Sequence, residues 1–128
     1  MKKFQFRLAA ALRARNAILD AAKTDLADVT ARRDLAVELR DQRQMDLDKL
    51  ATQTPKAGVS VDPRKELWRQ RHMHQIREEI DHRSLMVKQL EEEWEKVRET
   101  VTLALRDVRA MEVLEERDHA IWLEESRR

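Results

Sequence analysis

The feature that most narrows the possible folds is a run of regularly spaced side chains between Ile76 and Met111. Alternating steps of four and three land on Ile76, Ile80, Arg83, Val87, Leu90, Trp94, Val97, Val101, Ala104, Val108 and Met111, of which only Arg83 is not apolar. A mean spacing of 3.5 residues held over about five heptads predicts a long helix lying against another helix. The mismatch to 3.6 residues per turn is taken up by a left-handed supercoil. The rest of the chain then either supplies the partner or projects from the ends.

An earlier stretch supplies it. Leu12, Arg15, Leu19, Ala22, Leu26, Val29, Arg33, Ala36, Arg40, Arg43, Leu47 and Leu50 repeat the same heptad, with Arg at four positions. Phe4 and Leu8 extend the stripe backwards, so a first helix is expected over about 4–52, roughly 70 Å at 1.5 Å per residue. Lys2, Lys3 and Arg7 oppose its dipole, and its first turn should fray unless covered. The pattern breaks over about 53–62. Pro55 excludes Thr54 from the helical region, and Gly58 is the one glycine in the chain. Asp62 then reads as an N-cap with Pro63 at the first helical position, opening a second helix over about 63–128. The expected fold is therefore all-α: a single antiparallel coiled-coil hairpin over 1–128, its second helix longer and overhanging.

A fold-back centred on Gly58 makes facing residue numbers sum to 116. It pairs Leu12 with Ala104, Leu19 with Val97, Ala22 with Trp94, Leu26 with Leu90, Val29 with Val87 and Ala36 with Ile80, an a position against a d position each time. Large Trp94 meets small Ala22, as even packing demands. Slips of one heptad crowd the centre against one proline or the other. In this register Val113 to Arg128 overhang; Val113, Leu114, Ile121, Trp122 and Leu123 expose apolar surface suited to docking, and the seam continues from Met111 to Leu114 and Ile121 only by a change of phase. Arg33 faces Arg83 and Arg40 faces Ile76, a basic layer that Glu79, Asp34 or a partner's carboxylates would have to neutralise.

Composition removes most other functions. Charged residues make up 40% of the 128, with one Gly and two Pro, which is the make-up of long helices. A single Gly excludes a phosphate-binding loop, and the lack of Cys excludes disulfides and thiol chemistry. The net charge of +1 gives no strong pull on nucleic acid or anionic lipid. Arg outnumbers Lys 18 to 8, which leans towards protein partners. No apolar run reaches the roughly 20 residues of a membrane span. Arg7, Arg13 and Arg15 interrupt any signal-peptide core, and the helical pattern runs on through residue 50 with no presequence boundary. Paired acids such as Glu78 and Glu79 lie on a helix face that nothing desolvates. His74, Glu78 and His82 share a face but have no further protein ligand nearby, so no enzyme activity, metal or cofactor is expected.

Three stretches carry a resemblance: Lys3-Phe4-Gln5-Phe6-Arg7-Leu8, Gly58-Val59-Ser60-Val61, and Met111-Glu112-Val113-Leu114-Glu115-Glu116-Arg117 continuing through Trp122-Leu123-Glu124-Glu125-Ser126-Arg127-Arg128. Together they resemble the FliJ family of bacterial flagellar type III export proteins, over the whole chain. The family's acidic tail and its aromatic residue near His72 have no counterpart here. The resemblance implies a stalk-like component of the flagellar export ATPase complex, cytoplasmic and peripheral at the membrane-bound export apparatus. Its terminal end would enter the pore of the ATPase hexamer through Phe4, Arg7, Leu114, Arg117, Ile121 and Trp122. Its tip-proximal surface would meet the cytoplasmic domain of the export gate through Arg40, Arg43, His72, Ile76 and Arg83. Export chaperones are further implied partners; nucleic acid and direct membrane insertion are not. The residues alone leave two alternatives: a structural homo-oligomeric coiled coil joined through its overhangs, and a nucleic-acid-binding helical arm, which interleaved Asp and Glu disfavour.

Overall fold

The computed structural model describes residues 2–53 and 62–128. Among them the chain is all-α, with α1 over Ala9–Thr52 and α2 over Pro63–Ser126, packed antiparallel. The expected turn, with Pro55 and Gly58, lies outside the described residues apart from its two ends. The chain divides into two compact units, Met1–Val29 with Trp94–Arg128, and Thr30–Glu93, each built from a piece of both helices.

The start of α2 follows the capping expectation. The Arg64 N–H donates to the Asp62 carboxylate at 3.0 Å and the Glu66 N–H to the Asp62 carbonyl at 3.1 Å, with Pro63 entering the helix where no N–H is needed. The start of α1 departs from expectation, at Ala9 rather than near residue 4. Lys2, Lys3 and Arg7 put positive charge where the dipole is already positive. The first turn of α1 holds no acidic residue, and none of residues 2–8 is a preferred capping type. Residues 2–6 are instead irregular, with the Ala9 N–H donating to the Phe6 carbonyl at 3.0 Å. Burial of Phe6 and half-burial of Phe4 hold this segment down.

In the first unit Leu19, Ala104 and Val108 form a buried cluster that Leu12, Val101 and Leu105 flank, and Ala22 and Val29 are buried as well. In the second, Met73, Ile76 and Val87 are buried. All but Leu105 and Met73 are seam positions read from the sequence. The seam is thin: among the described residues no large side chain falls below 2% exposure.

The register differs from the expected one by a heptad. In the first unit Leu19 clusters with Ala104, not with Val97, while Arg7 pairs with Asp118 and Arg15 with Asp107, both at 3.5 Å. In the second unit Arg32 pairs with Glu93 at 3.1 Å and Arg43 with Glu79 at 3.0 Å. Within each unit facing numbers sum to about 123, an a–d pairing like the one centred on Gly58 but slipped by seven. The charges in and beside the seam account for the choice. The expected register sets Arg7 against Arg109 and Arg33 against Arg83. The observed one gives Arg7, Arg15, Arg32 and Arg43 a carboxylate each.

The slip shortens the overhang. Residues 113–122 were expected to project beyond the partner chain, yet Phe4 lies 4.8 Å from the His119 ring and 5.9 Å from Trp122. The free end of α2 begins after Trp122, where residues 123–128 are exposed.

Candidate docking surfaces

The terminal surface belongs to the first unit. Met111, Glu115, Asp118 and Trp122 are half-buried and continue the heptad of the seam without the change of phase expected after Met111. Polar residues at two of these positions turn the core into a polar and aromatic cluster. Phe4 tilts at 51° against His119, which stacks at 12° on Trp122 with ring centres 6.0 Å apart. Arg7 stays 74% exposed while its Nε reaches Asp118. Of the expected contact residues, the structure brings Phe4 and Trp122 together and places Arg7 beside them. Leu114, Arg117 and Ile121 share an adjoining stripe of α2, at spacings of three and four. Leu114 is half-buried; Arg117 and Ile121 are exposed.

The basic layer belongs to the second unit, and a carboxylate sits in its middle. Arg83 donates to Glu79 Oε1 through Nη2 and Nε at 2.9 and 3.1 Å, and Arg43 Nε approaches Oε2 at 3.0 Å. Glu79 therefore ties α1 to α2 through two arginines. The Arg83 hydrogen bonds, with the charges of Arg43 and Arg83, hold its carboxyl below the usual range against the opposing effect of burial. Arg33 and Arg40 bond to their sequence neighbours Asp34 and Asp41. The facing of Arg33 on Arg83 and of Arg40 on Ile76 is thus replaced, with the charge compensation the layer requires supplied from within the chain.

Among the residues expected on the gate side, Arg40, Arg43, His72 and Arg83 are half-exposed, whereas Ile76 is 2% exposed. Ile76 is core and offers no surface to a partner. Its seam position carried that signal. His72 lies under Trp68, ring centres 5.2 Å apart and 24° from parallel.

Two features escaped sequence reasoning. Arg69 is held by Glu66 in a fork at 2.8 and 3.0 Å, and its Nη1 donates to the Leu50 carbonyl at 2.9 Å. That carbonyl also accepts the Gln53 N–H at 3.3 Å, so the end of α1 is capped both locally and from the other helix. The Arg69 hydrogen bond lowers the Glu66 carboxyl in turn. Spacing of three between Glu66 and Arg69 was the legible half of this; the cross-helix bond depends on register. The second feature is an open apolar groove of about 390 Å³ along one side of the second unit, floored by Leu35, Leu39, Met86 and Leu90 and bounded by Arg32 and Glu93. Leu35 and Met86 sit beside the seam rather than in it, so a two-position heptad reading passes over them.

Among the described residues, no group of three or more His, Asp or Glu side chains could hold a metal ion, and His74 and Glu78 meet at 3.0 Å on open surface. No described helix is long and apolar enough to cross a membrane. No family model, curated protein or solved structure matches this chain.

Proposed function

We propose that this chain is a non-enzymatic, stalk-like component of a flagellar protein export ATPase complex, docking its terminal end in the ATPase hexamer and its basic layer on the cytoplasmic domain of the export gate. The reading rests on the resemblance of its opening and closing stretches to the FliJ family. The observation that carries it further is the meeting of those two stretches at one end: Phe4 packs on His119 and Trp122, and Arg7 pairs with Asp118. A composite of irregular N-terminal chain and helical C-terminal chain is a more specific surface than either alone. Supporting protein secretion in this way places it in the cytoplasm, peripheral to the export apparatus, with export chaperones as further partners.

The test is co-purification of the tagged chain with a hexameric export ATPase. F4A and W122A should each reduce recovery of the ATPase several-fold while circular dichroism stays near that of the parent. R40E should spare the ATPase and weaken gate binding. Unchanged ATPase recovery by F4A/W122A would remove the terminal end from the interaction. A second reading, a homo-oligomeric coiled coil, draws on the groove over Leu35, Leu39, Met86 and Leu90, which a further helix could fill. Light scattering across a range of concentrations separates the two, because only the oligomer gains mass.

A further inference from the structure

The first three turns of α2 carry a patch that lies outside the seam and meets the proposed gate surface only at His72. Trp68 is 63% exposed and Leu67 50% exposed, although Trp68 already lies along its own helix against His72. On a helix the surface neighbours of residue 68 are three and four positions away, which are Arg64, Lys65, Arg71 and His72. Every one is basic or a histidine, and Arg64, Lys65 and Arg71 are exposed.

The acidic groups of this stretch are turned to other work. Asp62 accepts the Arg64 N–H as a helix cap, and Glu66 is forked by Arg69 on the side facing α1. The end of α1 near Arg69, Ala51 to Gln53, has no charged side chain. An apolar pair thus has cations or a histidine at every position three or four residues from Trp68, while the adjoining carboxylate of Glu66 is taken up by Arg69. The net charge of +1 for the whole chain conceals this local excess.

From this arrangement we infer that Leu67 and Trp68, ringed by Arg64, Lys65 and Arg71, dock on the surface of an anionic lipid membrane without crossing it. Charge complementarity selects an anionic partner. Leu67 and Trp68 stand exposed on one helix and do not line the groove of this unit, so a protein would need a pocket to receive them, whereas the headgroup boundary of a bilayer accepts a projecting Trp and Leu without one. Long Arg and Lys side chains can lie along the apolar pair and keep their heads at the phosphates. Each such basic residue strengthens binding by about fivefold near an anionic surface. The inference does not rest on the export reading, since it needs neither ATPase nor gate.

The experiment uses the full chain with W94F and W122F, so that Trp68 is the sole indole, and checks the fold by circular dichroism. Vesicles of mixed phosphatidylglycerol and phosphatidylcholine should bind it, shift Trp68 emission to the blue and lose that effect in high salt; phosphatidylcholine alone should not bind. Brominated lipid should quench Trp68. In the parent background W68A should weaken co-sedimentation, and R64Q, K65Q and R71Q should each weaken it about fivefold. The inference is overturned if mixed vesicles do not bind, if they bind while Trp68 remains unquenched, or if the three charge variants bind as the parent does. It is equally overturned if a polyglutamate peptide shifts Trp68 emission and the vesicles do not, which makes the patch a protein-docking surface.

Discussion

A pair of cysteines decides the register directly, and the chain is suited to it because it has none of its own. L19C/A104C places thiols at two positions of one buried cluster. L19C/V97C places them at the positions that face each other when residue numbers sum to 116. The alternatives differ by seven residues, or roughly 10 Å along the helix axis. A disulfide forms only where the Cα atoms lie about 4.4–6.8 Å apart, so one pair should oxidise readily and the other should not. The bridge at 19 and 104 would close a loop of about 85 residues, for which the chain-entropy relation gives ~4–5 kcal/mol of stabilisation as an upper figure. Non-reducing electrophoresis at low protein concentration reads the cross-link, and urea unfolding followed at 222 nm reads the stability with and without reductant. Faster oxidation of L19C/V97C, or a destabilising bridge at 19 and 104, would refute the register drawn from the ion pairs.

Two further expectations concern the second unit. I76A removes three carbon groups from a side chain only 2% exposed, worth ~2–3 kcal/mol from lost transfer and more if the gap fails to close, whereas L35A at a 56% exposed site should change unfolding by less than ~0.5 kcal/mol; equal effects in urea would mean that Ile76 is not core. Glu79 and Glu66 have folded-state pKa values below the ordinary 4.5, so their stabilisation is present above that value and is lost as pH falls through the lowered ones; E79Q should lower stability at neutral pH and flatten the acid limb of a thermal-melt series, and an unaltered limb would count against the two-arginine tie.

The two helices and their seams were legible because their signal is local: spacing along one strand of sequence names Leu19, Ile76, Val87, Ala104 and Val108 as buried with no knowledge of the partner. Asp62 was legible for the same reason, since a cap and a following proline act within one turn. The register was not read correctly. Apolar layers repeat every seven residues, so Leu19 fits Val97 nearly as well as Ala104, and the distance of the fold-back from Pro55 and Pro63 proved a poor arbiter. The deciding information sat in the charged residues in and beside the seam, Arg7, Arg15, Arg32 and Arg43 and the carboxylates they reach. The late start of α1 was half visible in Lys2, Lys3 and Arg7, but the covering of Phe4 by His119 and Trp122 follows only from the corrected register. Ile76 was read twice, as seam and as contact residue, and only the first reading is compatible with its burial.

The thinness of the seam has a consequence for how this chain tolerates change. Two helices graduated alike in sevens behave like the two scales of a vernier: sliding one by a full division brings graduation onto graduation again, and only the small marks at the margin show which alignment is correct. Here those marks are exposed or half-exposed ion pairs, each worth about 1 kcal/mol or less and weakened by salt. Substitutions at the margin, harmless by the usual standard of surface positions, therefore act on alignment, and through it on whether Phe4 meets Trp122 at all.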